Sequence, residues 1–203
     1  MTPATATGDT GKIESIRRKL SVSISQPVVK VIAKSGITPD MLTWFGFILS
    51  LVAAGLVGWG LWLWAGITVL LAGLFDMLDG ALARYKGKTS KFGAVLDSTL
   101  DRASEGVLLI ALAFSLASQG SVAGVTLVSI VMLFSFLVSY IRSKAEAINI
   151  NCKEGFFTRS ERVIVIALGL IFSQVMVALG IIAVFSIITT VHRLVLVWSK
   201  ARA

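Results

Sequence analysis

Four aspartates stand in the stretch FDMLDGALARYKGKTSKFGAVLDSTLDR, Phe75 to Arg102, where two long apolar runs meet. Asp76 and Asp79 are three residues apart, and Asp97 and Asp101 are four apart. Both spacings put a pair of carboxylates on one helix face. Two such helices packed side by side would bring all four to one locus. Close negative charges force protons on unless a cation neutralises them. Ligands made only of oxygen favour Mg²⁺ or Mn²⁺, and four carboxylates suffice for two ions bridged over a phosphate, as in in-line phosphoryl displacement. Ordinary helix-end charges are the alternative. Asp97 and Asp101 would suit the amino-terminal dipole of their helix, but Asp76 and Asp79, near a carboxyl-terminal end, would oppose theirs. Gly80 lets a ligand approach the backbone, and Gly93 allows close packing as the next helix begins. Arg84, one turn after Gly80, can reach an anion with its guanidinium fork.

The elements that must position these residues are membrane helices. The chain has 203 residues, 56% of them hydrophobic, above the ~45–50% of a soluble domain. The excess lies in six runs: Leu42 to Trp59, Leu61 to Leu78, Ala94 to Ser118, Val122 to Ile141, Val163 to Leu179 and Ile181 to Trp198. Each is near the ~20 residues that cross ~30 Å of hydrocarbon. The expected fold is an all-α integral membrane protein with six transmembrane helices paired as hairpins, with tight turns around Gly60, Gln119 to Ser121, and Gly180. All 19 Lys and Arg residues fall in the amino-terminal segment, the two long loops with their helix ends, or the carboxyl terminus. The positive-inside rule then puts both termini and both long loops in the cytoplasm, within the cell membrane. The net charge of +8 reads as a membrane-surface feature, and no nucleic-acid partner is expected. Cys152 is the one cysteine, so an internal disulfide is excluded.

Residues 1–36 divide from the membrane domain at 37–203. The first ten look like a disordered tail, and no removable signal peptide is read. From Ile13 to Val31 apolar residues recur at helical spacing among basic ones, with Pro27 splitting the run. An amphipathic juxtamembrane helix on the cytoplasmic leaflet is expected, with packing on the bundle as the alternative. Thr38 followed by Pro39 marks a helix start. The amides of Asp40, Met41 and Leu42 would then be free to hold phosphate or ribose, or would belong to a mere helix start.

Asp76-x-x-Asp79-Gly80-x-x-Ala83-Arg84, followed by Gly93, Asp97 and Asp101, resembles the signature of the CDP-alcohol phosphotransferases at every position. The resemblance implies six transmembrane helices, usually a homodimer, and an active site open to the cytoplasm. It further implies transfer of a substituted phosphate from a CDP-linked donor to an alcohol, with release of CMP and a need for Mg²⁺ or Mn²⁺. By that resemblance Asp76, Asp79, Asp97 and Asp101 are metal ligands and Asp101 is also the base. Gly80, Arg84 and Ser90 contact the CDP-diacylglycerol donor, with the helix start Asp40, Met41, Leu42 and Thr43.

An acceptor pocket should lie in the second long loop, SYIRSKAEAININCKEGFFTRSERVIV. Arg142 and Lys144 close the fourth span, Arg159 and Arg162 open the fifth, and Arg193 lies near the end of the sixth beside His192. These are solvated basic residues or a pocket for a phosphorylated acceptor. The loop is similar to that of actinobacterial phosphatidylinositol phosphate synthases, with Thr158 and Ser160 where those proteins often have proline. That likeness implies inositol phosphate (1D-myo-inositol 3-phosphate) as acceptor, held by Arg142, Lys144, Arg159, Arg162 and Arg193. A phosphatidylglycerophosphate synthase using glycerol 3-phosphate shares the aspartates and also needs an anion pocket. Phosphatidylserine synthase fits less well. A transporter would place ionisable residues across the midplane, whereas these gather at one face. His192 has a surface or hydrogen-bonded role in this reading, with general base as the alternative.

Overall fold

The computed structural model describes residues 29–87, 90–150, 152 and 157–202. Its long helices are α1 (Pro39–Gly58), α2 (Trp62–Lys86), α3 (Lys91–Ser118), α4 (Val122–Ala147), α5 (Arg159–Ile171) and α6 (Val175–Ala201). The described residues contain no strand. α1, α2, α4 and α6 are long and apolar enough to cross a bilayer, so the chain is a multi-pass membrane protein. α3 carries Lys91, Asp97, Asp101, Arg102 and Glu105 ahead of an uncharged stretch from Gly106 to Ser118. α5 has 13 residues and so spans about 20 Å, less than the hydrocarbon thickness.

Local chemistry starts most of these helices. Thr38 caps α1 by accepting the Met41 N–H at 3.3 Å, with Pro39 in the first turn, as the sequence predicts. Ser90 caps α3 by accepting the Gly93 N–H at 2.8 Å. At α5, Thr158 and Glu161 form a capping box in which the Glu161 carboxylate accepts the Thr158 N–H at 2.8 Å. Gly60 and Gly120 turn the chain at φ 75 and 71, values that cost glycine nothing.

Two expectations need correction. The turn expected at Gly180 lies at Phe172–Gln174 instead, and Gly180 is interior to α6. Ser173 takes φ 55, its N–H donates to Leu170 O at 3.1 Å, and the Gln174 N–H donates to Gly169 O at 2.7 Å. Gly169 makes the turn possible: a Cβ there would sit 2.4 Å from that of Ala178. The fifth and sixth apolar runs are therefore divided some seven residues earlier than expected. Secondly, α2 continues to Lys86, about two turns beyond Asp79. The macrodipole fades outside the last turn, so Asp76 and Asp79 do not oppose it as the sequence suggested.

The principal contacts form a closed ring: α1 with α2 and α3, α2 with α5, α5 with α6, α6 with α4, and α4 with α3. Its apolar core includes Val57, Leu109, Leu112, Val131, Leu170 and Ile182. α2 and α5 touch through backbone, since a Cβ on Gly66 would meet Ala167 O at 2.7 Å. Ahead of α1, residues 29–34 are helical, and Val29 packs with Leu42, Leu78 and Leu82. That end of the amino-terminal segment thus packs on the bundle; the expected tail and most of the amphipathic helix lie outside the described residues.

Candidate metal centre and its cavity

α2 and α3 are both helical through their aspartates, and the ring brings these close through α1, which packs on both. One carboxylate oxygen each from Asp76, Asp97 and Asp101 lies within 4.8 Å of the others, and all three residues are partly buried. Three of the four predicted ligands therefore converge. Asp79 stands apart from this group. It is buried, and its Oδ2 accepts the Thr43 hydroxyl from α1 at 2.7 Å. Three hard, partly buried oxygen donors at this separation fit a divalent cation.

Arg159, at the first turn of α5, enters the same cluster. Its Nη1 donates to Asp76 Oδ1 at 2.8 Å and to Asp101 Oδ1 at 2.6 Å. The sequence grouped this arginine with an acceptor phosphate, and the structure puts it on the carboxylates.

Around the cluster lie the residues assigned to the donor. The Arg84 guanidinium folds over Gly80, where its Nη1 is 3.4 Å from the position a Cβ would occupy. The Asp40 carboxylate lies against Gly93, 3.2 Å from that glycine's Cβ position, and Ser90 is exposed beside it. Lys86 Nζ donates to Ile37 O at 2.7 Å, tying the end of α2 to the start of α1. The helix start itself is less open than the sequence implies. The Met41 N–H is taken by Thr38 Oγ1, and the Leu42 N–H points to Thr38 O at 3.4 Å. Leu42 and Thr43 turn inward, while Asp40 and Met41 stay exposed. A capped first turn satisfies its own amides, which leaves fewer for a ligand.

A cavity of about 510 Å³ runs from the carboxylates into the bundle. Asp76, Asp101 and Arg159 line its polar end, and Phe47, Val69 and Leu108 are among its apolar walls. Glu105, one turn beyond Asp101, also lines it and holds Arg162 in a bidentate pair, Nε to Oε1 at 2.6 Å and Nη2 to Oε2 at 2.8 Å. Both side chains are buried, at 6% and 1% exposure, and Arg162 Nη1 has no protein partner. Arg193 is also buried. Its Nη1 donates to Val138 O at 2.6 Å and its Nε is unpartnered. Arg162 and Arg142 are among its charged neighbours. Arg142 is exposed and pairs with Glu146 at 2.9 Å, and Lys144 lies over the Tyr140 ring. His192 is partly buried on α6. The arginines assigned to an acceptor thus separate into Arg159 on the carboxylates, a buried pair of Arg162 and Arg193, and an exposed helix end.

Glu105 escaped the sequence reading. It sits in a stretch notable only for reduced hydropathy, and its one signal is its spacing of four from Asp101, matched by the three between Arg159 and Arg162. Across the ring, from α3 to α5, those spacings make a two-rung ladder, Asp101 to Arg159 and Glu105 to Arg162.

Residues 36–198 match the family described as CDP-alcohol phosphatidyltransferase. The chain is 36% identical over 188 residues to the phosphatidylinositol phosphate synthase of Mycobacteroides abscessus, covering 88% of this chain and 86% of that one. It is 36% identical over 179 residues to the archaetidylinositol phosphate synthase of Pyrococcus horikoshii, covering 86% and 93%. Among solved structures, Mycobacterium tuberculosis phosphatidylinositol phosphate synthase with CDP-DAG bound superposes with a TM-score of 0.78 at 35% identity, covering 87% of this chain and 94% of that one. The same enzyme in complex with manganese and citrate gives 0.76 at 34% identity, covering 86% and 88%.

Proposed function

Since the chain belongs to the CDP-alcohol phosphatidyltransferase family, we propose that it transfers the phosphatidyl group of CDP-diacylglycerol to inositol phosphate, giving phosphatidylinositol phosphate and CMP. The observation that carries this reading is the convergence of Asp76, Asp97 and Asp101, of which Asp76 and Asp101 line the polar end of a cavity with apolar walls. An amphiphilic donor needs that combination: a charged end for the diphosphate, next to a greasy surface for the lipid. The bacterial and archaeal relatives differ in the lipid they are named for but share inositol phosphate in the name, which supports that acceptor.

Asp76, Asp97 and Asp101 would hold the divalent cation, with Asp79 completing the set. Mg²⁺ is the expected ion, Mn²⁺ a substitute, and two ions the expected number. When bound, the cation neutralises charge on the diphosphate and makes CMP a better leaving group. Arg84, over Gly80, and the Asp40 to Thr43 helix start with Ser90 orient the nucleotide end of the donor. The acceptor hydroxyl oxygen attacks the phosphatidyl phosphorus as the bridging P–O bond breaks, and CMP departs with that bond's electron pair. Asp101 takes the hydroxyl proton as attack proceeds. Arg159 and Arg193 hold the acceptor's phosphate, and Arg142 and Lys144 add positive charge at the rim. Arg162 keeps two donors on Glu105 and leaves Nη1 for the phosphate or for water. His192 is left with a supporting role.

The chain works in the cell membrane as a homodimer, with both termini and the active site cytoplasmic. α3 and α5 complete six spans in this reading, with the bilayer thinned locally to match the short α5. The turn observed at Phe172–Gln174 is as free of charge as the one expected at Gly180, so the charge asymmetry behind that orientation stands. The test is CMP release by purified protein in detergent with CDP-diacylglycerol, offered inositol phosphate and glycerol 3-phosphate separately. Release with inositol phosphate is expected. Release with glycerol 3-phosphate alone would instead identify a phosphatidylglycerophosphate synthase.

A further inference from the structure

We infer that Arg159 is a displaceable counter-ion: it neutralises the carboxylates until a divalent cation arrives, and the cation turns it out to hold the anionic acceptor. The inference rests on the metal site proposed above and concerns how that site is loaded. Arg159 Nη1 donates to one oxygen of Asp76 and one of Asp101, and both residues belong to the triad whose oxygens converge. A hard divalent ion held by the triad would draw on the same two carboxylates. A guanidinium nitrogen 2.6–2.8 Å from one oxygen of each carries like charge beside that site. The two cations compete for one pair of carboxylates.

The fold lets the side chain leave without moving its helix. Arg159 is the first residue of α5, held at its start by the Thr158–Glu161 capping box. One turn on, the buried Arg162–Glu105 pair ties the helix to α3. The Arg159 side chain is about a quarter exposed, its Nε has no partner, and it lines the cavity beside Ser160. Its present bonds thus leave donor capacity unused, with open volume next to it. Once released, it is a free cation lining the cavity offered to a phosphorylated acceptor. Metal binding and anion binding then favour one another, and the coupling is reciprocal. Each would raise the other's affinity by a factor in the usual range of about 5 to 150.

Manganese affinity, read by electron paramagnetic resonance of free Mn²⁺ over the full-length protein in lipid nanodiscs without donor, tests this directly. Wild type should bind Mn²⁺ about fivefold or more tightly when inositol phosphate is saturating. Arg159→Gln should bind Mn²⁺ at least about fivefold more tightly than wild type without acceptor, and should gain nothing further from it. Arg159→Lys keeps the charge and should keep the weaker affinity of wild type, which separates charge competition from misfolding. An Arg159→Gln protein with unchanged or weaker Mn²⁺ binding overturns the displacement. So does a wild-type affinity indifferent to inositol phosphate, a measurement that needs no variant. A wild type that binds no Mn²⁺ at all removes the metal-site reading itself, and the inference with it.

Discussion

Replacing Glu105 by leucine should be among the most damaging single changes outside the aspartates. The carboxylate accepts from Nε and Nη2 of Arg162 in a site where both partners are buried, and Arg162 Nη1 already lacks a protein partner. Glu105→Leu would leave a whole guanidinium charged and unpaired inside the ring. Losing one partner of a buried pair costs about 3–5 kcal/mol, a factor of about a hundred to a few thousand in the unfolding equilibrium. Arg162→Met should cost a similar amount by stranding the carboxylate. The double variant removes both charges, and it should return to within about 2 kcal/mol of wild type, because well-packed apolar replacements of buried pairs are close to neutral. The exposed Arg142–Glu146 pair, at 45% and 46% exposure, is the internal control. Glu146→Ala should change stability by no more than about 0.5 kcal/mol. Denaturant unfolding in mixed micelles, followed by fluorescence of the five tryptophans, measures all four. If each single variant costs less than about 1 kcal/mol, or if the double variant costs the sum of the two, the pair is not the buried lock inferred from its geometry.

Three further outcomes are expected. Asp101→Asn should lower the rate of CMP release by about 10²–10⁴, the usual worth of a positioned acid or base, and full turnover by the variant would end its role as proton acceptor. Chelation with EDTA should abolish CMP release, and Mg²⁺ or Mn²⁺ should restore it; activity that survives exhaustive chelation contradicts the carboxylate centre. Gly66→Ala should destabilise the α2–α5 contact by about 1–3 kcal/mol, because its Cβ would come within 2.7 Å of Ala167 O and the Ile171 side chain. Gly55→Ala meets nothing within 4 Å and should be neutral or slightly stabilising, both variants being measured by the same denaturant unfolding.

The sequence by itself determined the helical class, most of the helix positions and the identity of the charged face. Those are properties of hydropathy runs and of where Lys and Arg are allowed. It also determined that Asp97 and Asp101 share one helix face and that Asp76 and Asp79 share another, since local periodicity follows from residue spacing alone. The cap at Thr38 was legible for the same reason. The turn between α5 and α6 was not. Phe172, Ser173 and Gln174 sit inside a continuous apolar run, and the glycine that looked like a break, Gly180, is tolerated within α6 as glycines commonly are in membrane helices. Only close packing of Gly169 on Ala178 set the break where it is. Tertiary structure alone decided which charges meet. Arg159 lies 58 positions from Asp101 and Arg162 lies 57 from Glu105, and which of several basic side chains reaches the carboxylates depends on the order of helices around the ring. Chain-local energetics carry no record of that order, because it comes from packing between elements distant in sequence.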